Sequence, residues 1–199
     1  MEEIEEIIIS MLAIVVAFSI ANWGFGVFFQ SDFFLRAIVL MFTVGVGFIS
    51  HELGHKYAAE RFGSASRFMM WPQGLVFMLL LAPLGFIFAA PGAVYIFKRM
   101  SKRENGIVSL TGPLVNMLLF LFFATVLLGS AAMGVQLSGI VATICAIGMQ
   151  INALLAVFNL LPLFILDGAK VFAWDWRIWA TAFVLGVVMM FSAGALVAL

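Results

Sequence analysis

Two histidines four residues apart, with a glutamate beside the first, carry the clearest chemistry in this chain. The segment Ser50-His51-Glu52-Leu53-Gly54-His55 fits the pattern H-E-x-x-H. On a helix, positions i and i+4 share a face, so both imidazoles can reach one metal ion. Glu52 stands beside that face, placed to take a proton from a water that the metal activates. These are the only two histidines in the sequence. Catalytic zinc takes three protein ligands and keeps one position open, so the third must be a carboxylate or Cys145, the single cysteine.

The other acidic residues are Glu2, Glu3, Glu5, Glu6, Asp32, Glu60, Glu104, Asp167 and Asp175. The four at the N-terminus read as a solvated tail, and Glu60 lies on the histidine helix but near its surface end. Asp167 follows an apolar run and opens an Asp-Gly turn. From spacing alone it fits a ligand or a turn or helix-cap aspartate equally well.

The elements that must hold these residues are set by lipid. Of 199 residues, 65% are hydrophobic and 10% charged, against about a quarter charged in a soluble domain. A spanning helix needs about 20 mostly apolar residues. Such stretches run over about 7–29, 33–62, 107–128, 135–161 and 178–199. A further apolar region, 68–97, contains Pro72, Gly74, Pro83, Gly85, Pro91 and Gly92. That density of breakers predicts two short spans or a re-entrant hairpin, possible only where protein or a cavity covers the backbone. The expected fold is therefore an all-α polytopic membrane protein of about six transmembrane helices with this irregular, membrane-embedded hairpin, for which β structure is one alternative. The whole chain, 1–199, reads as one membrane domain. Its acidic start, MEEIEEIIIS, lacks the basic stretch of a secretory signal. Cys145 reads as a small buried hydrophobe, and a net charge of +0 excludes a strongly basic nucleic-acid surface.

With the spans alternating and 68–97 returning to its own side, nine of the ten basic residues fall together, from Lys56 and Arg61 to Lys170 and Arg177. Only Arg36 falls opposite. The positive-inside rule makes the crowded side cytoplasmic, which puts the N-terminus inside and the C-terminus outside a cell membrane. His51 precedes Arg61 by ten positions, about 15 Å along a helix at 1.5 Å per residue. Ionisable groups at that depth mark a site, with a hydrogen-bonded helix-packing cluster as the alternative.

Two further segments carry a resemblance. Asn159-Leu160-Leu161-Pro162-Leu163-Phe164-Ile165-Leu166-Asp167-Gly168 resembles the N-x-x-P-x-x-x-L-D-G motif of the site-2 protease family. Gly112-Pro113-Leu114-Val115-Asn116 resembles the family's G-P-x-x-N motif, and His51-Glu52-Leu53-Gly54-His55 its H-E-x-G-H helix. The three occur in the family's order, over about residues 37–170. The resemblance implies zinc bound by His51, His55 and Asp167, Glu52 as general base, and Asn116 polarising the scissile carbonyl or holding substrate. It implies a minimal form, without a PDZ insert or a C-terminal regulatory domain. Where the family reads L-D-G-G, this chain reads Leu166-Asp167-Gly168-Ala169.

The expected activity is hydrolysis of a peptide bond in or near the transmembrane segment of a membrane-protein substrate, with the lipid bilayer as partner and no nucleic acid. Two other classes share these ligands: a zinc transporter or sensor, and an inactive relative that binds substrate helices. Transport needs ligands but no base, so Glu52 weighs against the first.

Overall fold

The computed structural model describes residues 2–87, 91–163 and 165–197. Residues 88–90 of the irregular region, Phe164 of the Asp167 segment and the last two residues of the final expected span lie outside these. Among the described residues, five helices are long and apolar enough to cross a membrane. They are α1 (Glu3–Trp23), α2 (Phe33–Arg61), α4 (Lys102–Ala132), α5 (Gly139–Asn159) and α7, whose span runs over Trp176–Gly194. All five fall where the apolar runs predict them, and their ends follow local chemistry. Glu104 and Ser101 cap the start of α4 reciprocally, with Glu104 N–H donating to Ser101 Oγ at 3.2 Å and Ser101 N–H to Glu104 at 2.8 Å. The polar patch before the span is thus partly absorbed into its first turn.

Among its described residues, the region 68–97 has no helix long enough to count as a span. It folds as strand β1 (Ser66–Met70), helix α3 (Pro72–Leu81) and strand β2 (Gly92–Ile96), with a short 3-10 turn at Ala82–Leu84. Pro72 sits in the first turn of α3, where its missing N–H costs nothing. The strands pair antiparallel with Phe68 opposite Val94. Bonds from Phe97 N–H to the Ala65 carbonyl and from Trp71 N–H to the Pro91 carbonyl close the two ends. Counting inward by twos, Phe68, Met70 and Val94 turn their N–H groups out of the pair. In an apolar setting such amides need partners, and all three find carboxylates. Glu3 accepts from Phe68 N–H and Glu6 from Met70 N–H, both at 2.8 Å, and Glu52 accepts from Val94 N–H at 2.9 Å. The expectation of a solvated N-terminal tail is therefore corrected at Glu3 and Glu6. The first turn of α1 runs beside the hairpin, and these two side chains cover its outer edge.

Two large clusters make up most of the core among the described residues. Ile14 and Ile20 of α1, Phe48 of α2, Phe68 of β1 and Met78 of α3 pack into one. Phe120 and Phe123 of α4, Cys145 and Met149 of α5 and Ala193 of α7 form the other. The apolar side chains that remain exposed on the spans, such as Leu118, Phe122, Val188 and Phe191, suit contact with lipid. Between α5 and α7 the chain turns through α6 (Asp167–Trp174). A Cβ on Gly168 would collide with the backbone carbonyl of Leu160, so the start of α6 closes directly onto the end of α5. Trp179 adds an indole N–H bond to the same Leu160 carbonyl at 2.7 Å. Replacing Gly168 with Ala should push α6 off this turn. The expected cost is about 1–3 kcal/mol, read as a lower unfolding midpoint in detergent; an unchanged midpoint would mean the contact has slack.

Candidate metal centre

α2 delivers both histidines to the bundle interior, buried, one turn apart. A single π turn, Met41–Gly45, interrupts this helix just before the motif, as often happens near functional sites. α4 crosses α2 with its Gly112-Pro113 step against the imidazoles. A Cβ on Gly112 would lie 2.5 Å from His55 Nε2 and 2.6 Å from His51 Nε2. Only glycine lets this backbone pass so close. The start of α6 brings in Asp167, 116 residues after His51.

The hydrogen-bond network assigns the tautomers. His55 Nδ1 lies 2.8 Å from the Val108 carbonyl, which can only accept, so Nδ1 carries the proton. His51 Nδ1 lies 2.6 Å from Asn116 Oδ1. The Asn116 amide is itself oriented, because its Nδ2 donates to the Gly47 carbonyl at 3.0 Å and to Asn152 Oδ1 at 2.9 Å. Asn152 in turn donates to the Gly148 carbonyl at 2.9 Å. Both Nε2 atoms therefore present bare lone pairs when the rings are neutral. They lie 3.1 Å apart, and Asp167 Oδ2 lies 3.3 Å from His51 Nε2 and 2.9 Å from His55 Nε2.

Three acceptors cannot bond one another without a cation between them. Ligands at about 2.0–2.1 Å from a tetrahedral zinc stand about 3.3 Å apart, close to the spacing found. The donor set, two imidazoles and one carboxylate with a partner on each outer atom, therefore fits zinc. Lys170 takes up the other carboxylate oxygen of Asp167 at 3.3 Å, which leaves Oδ2 as the one facing the histidines. Glu52 also brings an oxygen within 4.8 Å of the imidazole nitrogens. Its bond to Val94 N–H holds it to the side, while Asp167 makes the close approach.

All five residues expected to form the site thus gather in one place. Asn116 differs from the expected oxyanion donor: both its N–H bonds are committed to Gly47 and Asn152, and its oxygen orients His51. The sequence reading missed Asn152. A polar residue in an otherwise apolar span was the available signal, yet nothing local says which polar residue it would meet. It also missed Lys170 and the Val94 amide, whose roles exist only after folding. A cavity of about 460 Å³ lies against the site, lined among others by His51, Glu52, His55, Val94, Asp167 and Lys170.

Named zinc metalloproteases are similar to this chain. The chain is 40% identical over 181 residues to a Methanocaldococcus jannaschii protein named "Putative zinc metalloprotease MJ0611", covering 89% of this chain and 87% of that one. The chain belongs to this zinc metalloprotease family, which is consistent with its resemblance to the site-2 proteases. A Bacillus subtilis member named "Putative zinc metalloprotease YwhC" is 31% identical over 149 residues, 66% of each chain. A second M. jannaschii protein, "Zinc metalloprotease MJ0392", is 26% identical over 165 residues, 82% of this chain but 39% of that one. No family model matches the chain, and no solved structure does. Zinc is accordingly the metal of this metalloprotease. His51→Ala, His55→Ala and Asp167→Asn should each abolish stoichiometric zinc in the purified protein. Asn152→Ala should leave one zinc bound but weaken it about 10–100-fold in chelator competition; wild-type affinity would show that the Asn152-Asn116-His51 relay does not tune the site.

Proposed function

We propose that this metalloprotease hydrolyses peptide bonds within or beside the transmembrane segments of membrane-protein substrates. One observation carries the reading: His51, His55, Asp167 and the carboxylate of Glu52 converge on a cavity among the spans, with a strand edge as part of its wall. When bound, zinc supplies Lewis acidity, activating water and polarising a carbonyl. His51, His55 and Asp167 would hold it, with Asn116 and Val108 fixing the imidazole rings. Glu52 then takes the proton of the attacking water and delivers it to the departing amide nitrogen.

A helical substrate shields its own peptide bonds, so a segment must unwind to be cut. Segments bearing Gly, Pro or Asn near the cytoplasmic side unwind most readily. The outer edge of β2 offers such a segment backbone partners, a form of strand addition. Val94 N–H is the edge amide nearest the base, so a substrate carbonyl pairing there would displace Glu52 and meet it at once. The excess of basic residues expected on one side supports a cell-membrane protein with that side, and the N-terminus, in the cytoplasm.

Cleavage of a panel of single-span peptides by wild type and by Glu52→Gln tests the reaction. Wild type should cut and Glu52→Gln should be about 10²–10⁴-fold slower with zinc still bound. Equal rates would remove Glu52 as base; zinc flux into liposomes, or peptide binding without any cutting, would favour the transporter or the inactive relative. Val94→Pro probes the strand edge, because proline is tolerated where an edge N–H points outward but cannot donate. It should raise KM several-fold at unchanged zinc content, whereas an unaltered KM would remove β2 from substrate binding.

A further inference from the structure

The carboxylates at the start of α1 are charged groups that the reaction above leaves without a task. Glu3 accepts from Phe68 N–H at 2.8 Å and pairs with Lys56 Nζ at 2.6 Å. Glu6 accepts from Met70 N–H at 2.8 Å and pairs with Arg67 at 3.0 Å. These contacts close a circuit around the hairpin. Glu52 holds Val94 N–H from the cavity side, Val94 stands opposite Phe68 in the strand pair, and Glu3 holds Phe68 N–H from the outer side. Lys56 returns the circuit to α2, one helical turn after Glu52. The same strand pair is thus gripped at both outer edges, by the catalytic base on one and an N-terminal carboxylate on the other.

We propose that Glu3 and Glu6 are positioning residues that set the register of the hairpin against α2, and so the bond at which a substrate is cut. This rests on the proteolytic, strand-pairing reading above. The physical argument is one of unequal repeats. Outward amides recur along a strand about every 6.8 Å. A single carboxylate could therefore be served by β1 at more than one setting, with the strand slipped by two residues. Two carboxylates at fixed helical spacing, each also tied to a cation, restrict the settings further. In one direction a two-residue slip would offer Met70 to Glu3 and Pro72, which has no N–H, to Glu6. In the other it would draw Phe68 out of its buried contact with Phe48 and set Ser66 in its place. Because β1 and β2 move as a pair, the clamp on β1 fixes which amide of β2 meets Glu52. A substrate strand reading its register from β2 then has one peptide bond at the base.

The inference also explains why the outer edge of β1 is not itself a pairing surface. Its outward amides at Phe68 and Met70 are held by carboxylates that are themselves tied to Lys56 and Arg67, whereas Val94 of β2 faces the cavity through Glu52. Edge specificity and register are set by the same two side chains.

The experiment compares full-length, zinc-loaded wild type with the E3A/E6A and E3Q/E6Q double variants in detergent. Three quantities are read: amide hydrogen exchange in the peptide carrying Phe68 and Met70, the masses of products from one single-span substrate, and KM separately from kcat. E3A/E6A should lose exchange protection in β1, spread cleavage over neighbouring bonds and raise KM several-fold, with zinc content unchanged. E3Q/E6Q keeps an oxygen that accepts the two N–H bonds, so it should restore one product pair. A merely structural role would lower the amount of folded enzyme without moving the cut. Should E3A/E6A not fold, E6A alone opens the Met70 joint and carries the same comparison. Unchanged β1 protection in the Ala variant overturns the clamp. Cleavage of the same single bond at unchanged KM overturns the inference and leaves the proteolytic reading standing. No cleavage by wild type overturns that reading, and the inference with it.

Discussion

Three acceptor atoms aimed at one point inside an apolar bundle are unstable on their own. His51 Nε2, His55 Nε2 and Asp167 Oδ2 all lie within 3.3 Å of one another. With their outer atoms already bonded, none has a proton to share when neutral. Their mutual repulsion is relieved by a cation, and most of the surrounding structure serves to hold them there until it binds. α4 presents glycine where any side chain would overlap the imidazoles. Asn116 and Asn152 turn one ring, the Val108 carbonyl turns the other, and Lys170 takes the spare carboxylate oxygen. Such partners around a metal site fix ligand orientation and raise ligand basicity.

The hairpin obeys the same rule applied to backbone. Strand edges at membrane depth cannot lean on bulk water, so each outward amide needs an acceptor. The fold supplies carboxylates, which are strong acceptors when ionised. On the outer edge they come from the first turn of α1, each with a cation beside it. On the inner edge the acceptor is Glu52 itself. Glu52 therefore rests on a backbone amide at the wall of the cavity.

Packing links the two halves. α4 touches the metal ligands through its first half and packs on α5 and α7 through its second, where Phe120 and Phe123 meet Met149. α6 closes on the end of α5 at Gly168, so the position of Asp167 depends on how α5 ends rather than on a long loop. A site assembled from α2, α4 and α6 is in this way tied to the helices that face lipid.

The sequence by itself determined the solvent, the five spans and the metal chemistry. Those signals are local: an apolar run long enough for a bilayer, and two imidazoles on one helical face. It marked Asp167 and Asn116 through resemblance, while spacing alone left Asp167 open between ligand and turn. Tertiary structure decided the rest. Whether Asp167 ligates depends on a contact across 116 residues, and whether Asn116 faces substrate or His51 depends on Asn152 of another helix. The acidic N-terminus read as a tail because nothing nearby in sequence pairs with it; its partners, Lys56, Arg67 and the β1 amides, lie more than fifty residues on. Region 68–97 read as two short spans, a re-entrant hairpin or a β hairpin, with nothing local to choose among them. Its strands exist because α1 and α2 supply acceptors for their edges, and hydrogen bonds of that kind have no periodicity to read.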